Sequence, residues 1–427
     1  MGNPEHYRLT TISCFVGIFA QAVIINLAAL LFMPLMRLHG LTYVQLGTLV
    51  AVNFSVQVGS DLLFSGLIDR IGFRRLVLPA CLVGSLGLFL FALAPVLLPG
   101  RVFAGLLAAT AVYSAAGGLL EVLLSPIVNA IPNEEKGAAM SLLHSFYAWG
   151  QMATIIATTL FLFLVGERHW QWMVGFWALL PLVNFLLFLK APFPPSVPEE
   201  HRLNMGDLIL KPFCLLAFAA IFFGASAEVL MNQWTSAFME RALLLPKLTG
   251  DLIGMCGFAL MLGLGRAWHG KYGARFDLSK ALVAMSALAV LCYLVVALSP
   301  GSWAGLLACM VCGFATSLLW PGTLIVASER YPLAGAWLFA LLAAAGDVGA
   351  GLGPWFTGWV VDHAIDTAAA LRLEQWLGIG GEQAALRLGI LAGTIAPLLA
   401  LLCHWGMKRM RENHRQTACA ELPIGIP

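Results

Sequence analysis

The most informative feature of this 427-residue sequence is how little charge it carries. Only 11% of the residues are Asp, Glu, Lys or Arg, whereas 60% are hydrophobic. A water-soluble domain carries about 25% charged residues. A chain this poor in charge has too few solvated side chains to cover a water-facing surface, so the composition predicts a membrane protein. The net charge of +2 also argues against a nucleic-acid-binding surface.

The sequence also lacks the short motifs that mark many enzymes and cofactor sites. It has no H-E-x-x-H, no G-x-S-x-G and no Walker-type loop. Its nine cysteines have no paired spacing, and the C-x-x-C at Cys309 and Cys312 lies within an apolar run, so we interpret these thiols as packing residues. No cleavable signal peptide is evident. We therefore expect no enzyme activity, no cofactor and no metal; a membrane enzyme or sensor is the less favoured alternative.

Long apolar runs, in contrast, are abundant. Crossing a bilayer takes about 20 mostly apolar residues, and runs of this kind fall near 10–35, 43–66, 75–97, 101–129, 138–165, 169–190, 209–236, 248–268, 279–299, 302–327, 333–360 and 385–407. A polar, proline-rich interruption at 191–208 divides them six and six. The pattern predicts an all-α membrane protein with twelve transmembrane helices in two pseudo-symmetric six-helix bundles. The predicted units are residues 1–190, a cytoplasmic linker at 191–208, and residues 209–427.

The positions of the basic residues predict the orientation. If both termini lie on one side, 17 of the 24 lysines and arginines fall on that side. Basic residues are enriched in cytoplasmic loops, so we expect cytoplasmic termini and a location in the inner (plasma) membrane. On the opposite side, residues 362–383 form an unusually long connection with a short amphipathic helix predicted around Ala368–Trp376. This segment either lies on the membrane surface or is only a long loop.

One loop carries a recognisable motif, Gly66-Leu67-Ile68-Asp69-Arg70-Ile71-Gly72-Phe73-Arg74-Arg75. It resembles the G-x-x-x-D-R-x-G-R-R signature of major facilitator transporters. A degenerate copy, in which His269 replaces the aspartate, occurs 199 residues later at Gly265–Gly273, as an internal repeat requires. The resemblance implies alternating access, with a gating role for Gly66, Asp69, Arg70, Gly72, Arg74 and Arg75.

Further segments resemble the fucose permease branch of sugar–proton symporters. They include Leu120-Glu121 followed by Ser125-Pro126, the run Ser145–Gly150, Trp320–Thr323 and Gly346–Pro354. This resemblance implies proton-coupled sugar transport. The branch has an aspartate in its first helix, whereas the polar residues inside the first helix here are Gln21 and Asn26.

Ionisable side chains inside predicted spans are the main candidates for coupling. Each costs about 2.5–3.5 kcal/mol or more at membrane depth, so it is usually retained for a function. We predict that Glu121 and His144 carry the proton; a purely structural Glu121–His144 pair is the alternative. Asp347, between Gly346 and Gly349, is expected to contact the helix that carries Asp61, where a gating role is favoured for both aspartates.

Polar and aromatic residues at helical spacing are candidates for the solute site. His144, Tyr147 and Gln151 share one face of a helix, as do Glu228 and Asn232 in another. The predicted substrate-binding residues are Asn26, Asn53, Gln57, Tyr147, Gln151, Glu228, Asn232, Gln233, Trp234, Trp320 and Asp347. Helix–helix hydrogen bonding is the alternative interpretation of these stripes.

Together these observations predict a secondary active transporter, most simply a proton symporter of a small neutral, sugar-like solute. The predicted cavity has no clear buried Arg or Lys, which disfavours organic anions. The alternative is efflux of apolar or cationic compounds by proton antiport. The expected partners are the solute, protons (with Na⁺ as the alternative ion) and the lipid bilayer, and the expected state is a monomer.

Overall fold

The fold is known from a computed structural model that describes residues 4–64, 71–131, 136–194, 210–272, 276–331 and 335–420. Gly66, Asp69 and Arg70 of the predicted gating motif, and most of the predicted linker, lie outside these residues. The described segments are almost entirely helical, and they contain no strand. This agrees with the all-α expectation.

The first half consists of one set of consecutive helices. Within the described residues these are α1 (Arg8–Leu30), α2 (Phe32–His39), α3 (Tyr43–Phe64), α4 (Phe73–Leu97), α5 (Val102–Ala130), α6 (Lys136–Val165) and α7 (Trp170–Lys190). The short helix α2 continues α1 after a break at Leu31.

The second half repeats this pattern with more interruptions. Its described helices are α8 (Pro212–Arg241), α9 (Cys256–Tyr272), α10 (Leu278–Leu298), α11 (Ser302–Thr316), α12 (Leu319–Arg330), α13 (Gly335–Ala364), α14 (Ala368–Leu377), α15 (Gly381–Gly393) and α16 (Ile395–Ala420). A π-helical segment, Gly250–Met255, precedes α9. Helices α11 and α12 form one span, which breaks where Pro321 enters the first turn of α12, a position that tolerates the missing N–H.

Eleven spans in the described residues are long and apolar enough to cross a membrane. The remaining predicted run, 333–360, falls on α13, whose 30 residues extend about 45 Å at 1.5 Å per residue. The protein is therefore an all-α membrane protein with two six-helix bundles, as predicted.

The long connection after α13 contains the predicted amphipathic helix. Helix α14 (Ala368–Leu377) ends at Gly378, whose φ of +65° suits glycine. Its buried residues, Ala370 and Leu373, pack against Ala384 of α15 and Leu298 of α10. The segment is thus a packed helix rather than an unstructured loop.

The two halves meet most extensively along α3 and α13. At Gly358 of α13, an added Cβ would lie 2.4 Å from the carbonyl oxygen of Tyr43. At Gly47 of α3, it would lie 2.9 Å from the backbone of Pro354. Glycine at both positions lets the two backbones approach closely, which side chains would prevent.

Polar contacts join the halves at one end of the molecule, here called the closed end, where α2 ends and α3 begins. Arg37 pairs with Glu167 at 2.7 Å and also contacts Glu240 of the second half. The hydroxyl of Tyr43 donates to Glu382 of the second half at 2.7 Å. These contacts seal the gap between the bundles at this end.

A second contact across the halves lies just beneath the closed end. Asp251, fully buried in the π-helical segment, accepts a hydrogen bond from Thr159 of α6 at 2.8 Å. It also pairs with Lys247 at 3.0 Å. π-Helical turns are frequent at functional sites, and this one holds a carboxylate against the opposite half.

The described part of the gating motif lies at the other end. Gly72 has a φ of +86°, which a residue with a side chain adopts only with strain. The Arg74 side chain donates to the carbonyl oxygen of Leu189 at 2.7 Å, and Arg75 is exposed. The gating roles of these residues stay predictions.

Candidate functional site

A chain of side-chain hydrogen bonds crosses between the halves near the middle of the bundle. Asn232 of α8 donates to Asn26 of α1 at 2.9 Å, and Gln151 of α6 donates to Asn232 at 3.1 Å. The amide of Asn26 lies 3.4 Å from the Tyr147 hydroxyl. The structure therefore brings together four residues that the sequence placed in the solute site, and it joins both halves through them.

Two other predicted solute residues lie deeper in the contact between the halves. Gln233 donates to the carbonyl oxygen of Ile25 at 3.1 Å. The Trp234 indole donates to the carbonyl oxygen of Pro354 at 3.0 Å and packs edge-on against Phe32. In this conformation both side chains are buried and close the path toward the closed end.

Asn53 and Gln57 tie helices of the first half together. The Asn53 side-chain oxygen accepts from Gln57 at 2.7 Å and from Ser114 of α5 at 2.8 Å. Its nitrogen donates to the carbonyl oxygen of Ile24 in α1 at 3.1 Å. These hydrogen bonds connect α1, α3 and α5 beside the site.

Three carboxylates converge on the side of the network away from the closed end. Asp61 of α3, Glu121 of α5 and Asp347 of α13 each place a carboxylate oxygen within 4.8 Å of the others. The predicted contact of Asp347 with the Asp61 helix is therefore present. At this distance two negative charges repel by about 3.5 kcal/mol, if the effective dielectric constant is about 20. All three groups cannot remain charged together without a proton or a cation among them.

Gln21 is a member of this cluster that the sequence analysis did not select. Its side-chain nitrogen donates to Glu121 at 2.8 Å. In the sequence, only the polarity of Gln21 within an apolar helix marks it as a candidate. It lies 100 positions from Glu121 along the chain. His144, proposed as a coupling residue and as the alternative partner of Glu121, lies in α6, and its side chain is outside the described residues.

Glu228 forms an ion pair with Arg266, which the sequence analysis did not connect to the site. One Arg266 nitrogen (Nη2) lies 3.0 and 3.3 Å from the two oxygens of Glu228. The Arg266 side chain is 40% exposed and that of Glu228 only 16%. Glu228 lies one helical turn from Asn232 on α8. A positive and a negative group thus border the solute residues.

One basic side chain of the described spans is buried away from the solute residues. Arg387 of α15 is only 2% exposed. It donates to the carbonyl oxygens of Ala297 and Ser299 at 3.1 and 2.7 Å. These carbonyls lie at the end of α10, where a helix lacks internal donors, so Arg387 satisfies a helix terminus rather than the central site.

Trp320 packs beside the carboxylate cluster. An added Cβ at Gly346 would lie 2.5 Å from the Trp320 indole, so the ring covers the residue next to Asp347. The ring is partly exposed. The role of Trp320 in solute binding stays a prediction.

A separate pocket of about 620 Å³ opens at the closed end. Arg37, Glu240, Arg241, Lys247 and Glu382 line it with charges of both signs. It lies outside the seal and is distinct from the central polar site.

Most of the chain matches the profile of a known protein family. Residues 12–354 match the profile of the Major Facilitator Superfamily. The chain belongs to the Major Facilitator Superfamily. This match covers well over half of the chain and confirms the superfamily inferred from the loop motif, so the protein is a transporter.

Solved structures agree with this assignment. A bacterial homologue of the human lysosomal transporter Spinster, inward-facing and occupied, is 15% identical, with 96% of this chain and 98% of that one covered and a TM-score of 0.71. The fucose:proton symporter of E. coli, as a variant, is 16% identical (94% and 99% covered, TM-score 0.60). A variant of the nucleoside transporter NupG is 13% identical (93% and 98% covered, TM-score 0.72). At these identities the similarity shows the fold alone. No curated protein sequence matched the chain.

Proposed function

We propose that this Major Facilitator Superfamily member is a secondary active transporter that carries a small neutral, sugar-like solute together with protons. The observation that carries the proposal is the hydrogen-bond chain Gln151–Asn232–Asn26, which crosses the halves beside Tyr147. A solute that replaces these bonds with its own hydroxyls contacts both halves at once. Rocking of the halves around such a site moves the solute across the membrane.

The chemistry of the site suits a hydroxyl-rich solute. Amide groups both donate and accept hydrogen bonds, and a phenol does the same. Glu228 supplies a carboxylate acceptor, and the partly exposed Trp320 offers an apolar ring face. Fucose:proton symport and nucleoside transport, the activities named for two of the matched structures, are consistent with such a solute.

Glu121 is the proposed proton carrier. It accepts a hydrogen bond from Gln21, and its carboxylate lies within 4.8 Å of those of Asp61 and Asp347. Its protonation removes one of three mutually repelling charges, so proton binding and the separation of Asp347 from Asp61 are linked energetically. Because Asp347 belongs to the second half, this linkage couples proton binding to the rocking motion.

We further propose cytoplasmic termini, a location in the inner (plasma) membrane, a monomeric state, and halves at residues 1–190 and 209–427 joined by the linker 191–208. The excess of basic residues on the side of the termini supports this orientation. The closed end is then the external one, and the conformation is inward-facing.

The test is uptake in vesicles that contain the purified transporter and an internal pH dye. A panel of neutral sugars is added to the wild type, to Glu121→Gln and to Glu412→Gln, a matched change at an exposed carboxylate of α16. We expect one sugar to acidify the interior for wild type and Glu412→Gln. Glu121→Gln should lose the acidification but still bind that sugar, as measured by thermal stabilisation. If no sugar of the panel acidifies vesicles that contain the wild type, the proposal is contradicted.

A second candidate is efflux of cationic compounds in exchange for protons. The observation that favours it is the same three-carboxylate cluster, which attracts positive charge as readily as it holds protons. In the vesicle assay, a pH change on addition of a lipophilic cation, together with no response to sugars, would support efflux over symport.

A further inference from the structure

Three buried oxygens at the carboxylate cluster have no hydrogen-bond donor among the described residues. One is the side-chain carbonyl oxygen (Oε1) of Gln21, a residue only 3% exposed, whose nitrogen donates to Glu121. The others are Oδ2 of Asp347, a residue 5% exposed, and Oδ1 of Asp61. Buried polar atoms are nearly always satisfied. Three acceptors without donors at one place indicate that a group which binds oxygen lone pairs belongs there.

The spacing of the oxygens allows one metal ion to contact all three carboxylates. The three carboxylate oxygens lie within 4.8 Å of one another. Two oxygens that share a hard cation, at metal–oxygen distances of about 2.4 Å, are separated by at most about 4.8 Å. Carboxylate and amide oxygens are also the ligands that hard cations prefer, and among the described side chains no sulfur or imidazole ligand is part of the cluster.

The charges around the cluster leave it without a cationic partner. In the described part of the chain, no Lys or Arg forms an ion pair with Asp61, Glu121 or Asp347. Arg266, which lies beside the solute residues, is already paired with Glu228. A small cation would supply the missing positive charge.

We propose that Asp61, Glu121, Asp347 and the side-chain oxygen of Gln21 form a Na⁺ site between the two halves. Asp61, Glu121 and Gln21 come from the first half and Asp347 from the second, so the site is complete only while α3 and α13 are together at this level. Na⁺ therefore stabilises the present conformation. The inference rests on the proposed function in one respect, because it identifies the coupling site as one that accepts Na⁺ as well as protons.

The test measures the apparent Tm of the full-length protein in detergent at constant ionic strength, with NaCl replacing choline chloride. A ligand that binds the folded state raises Tm with its concentration. We expect the wild-type Tm to rise by about 2 °C or more and to saturate, with no comparable effect of KCl. Asp277→Asn, a change at an exposed helix cap outside the cluster, should keep the full Na⁺ response.

Two variants test the ligands separately. Asp347→Asn should lose the Na⁺ response. Gln21→Leu keeps all three carboxylates and should need at least severalfold more Na⁺ for half of the response. If Asp347→Asn does not fold, the Na⁺ response of Gln21→Leu still tests whether the ion binds at the cluster.

Absence of any Na⁺ response in the wild type overturns the proposal, as does an unchanged response in Gln21→Leu and Asp347→Asn. A response to pH alone would assign the cluster to protons and also overturn it. The assay contains no solute, so its outcome does not depend on whether the sugar panel finds a substrate. A Na⁺ response with no sugar uptake would leave the ion site established and the proposed solute wrong.

Discussion

Asp362, near the end of α13, accepts a hydrogen bond from the backbone N–H of Tyr43, the first residue of α3, at 3.1 Å. Its other oxygen accepts from the N–H of Val44 at 2.7 Å. A carboxylate at this position satisfies free N–H groups and interacts favourably with the helix dipole. The cap comes from the opposite half of the protein, so it exists only while the closed end is shut.

Asp362→Ala should therefore open the closed end more often. An N-terminal cap contributes about 0.5–2 kcal/mol, so the ratio of open to closed molecules should rise about tenfold. Spin labels at Leu38→Cys and Leu244→Cys, exposed positions on the two halves, report the separation. Asp366→Asn is the control, because Asp366 is exposed and its φ of +65° suits asparagine. Equal distance distributions in both variants would contradict the proposed latch.

Gly358→Ala should weaken the contact between α3 and α13. The new Cβ would meet the Tyr43 carbonyl oxygen at 2.4 Å, so the helices must separate. Overpacking of this kind costs about 1–3 kcal/mol, which predicts a lower Tm and a larger open population. Gly59→Ala, in α3 where nothing lies within 4 Å, should change neither quantity.

Arg266→Gln should reduce solute uptake by about tenfold or more, since it leaves Glu228 without its partner in a poorly solvated place. Replacing both residues with Gln should recover part of the loss if the pairing matters more than the charges. The exposed pair of Lys408 and Glu412, at 3.8 Å, provides the control, and breaking it should have no measurable effect. A double variant no better than Arg266→Gln would assign the arginine a direct role in solute binding.

His39, beyond the first span, should contribute a pH-dependent part of the stability. Partial burial beside Trp170 lowers the pKa of its imidazole below the usual value of about 6.5. The stability from the neutral form is complete above that value and is lost as pH falls below it, because the unfolded chain then binds more protons. His39→Gln should flatten the decline of Tm between about pH 7 and 5, whereas His363→Gln, at an exposed position, should not.

Much of the architecture was accessible from the sequence because apolar length is a local property. The twelve runs predicted the spans, and local amphipathicity predicted α14 to within one residue of its end. The approach of Asp347 to the Asp61 helix was also predictable, because flanking glycines and a four-residue polar repeat indicate which faces pack together.

The partners of the buried charges were not predictable in the same way. Gln21 reaches Glu121 and Arg266 reaches Glu228 through contacts between helices, which no spacing within one helix encodes. For Arg387, a sequence shows the charge but not the unsatisfied carbonyls of α10 that receive it. The break between α11 and α12 was missed for a related reason, since Pro321 can either kink a span or begin a new helix.

On α3 and α13, the residues that set the distance between the helices differ from the residues that carry charge. Gly47 and Gly358 govern only how closely two backbones approach, while Asp61 and Asp347 on the same helices govern charge. A helix contact formed by backbone at glycine positions has no interdigitating side chains. The two helices can therefore rotate against each other without first separating side chains. The cargo and the driving ion can then change by substitution of a few polar side chains, with the mechanical joint left as it is.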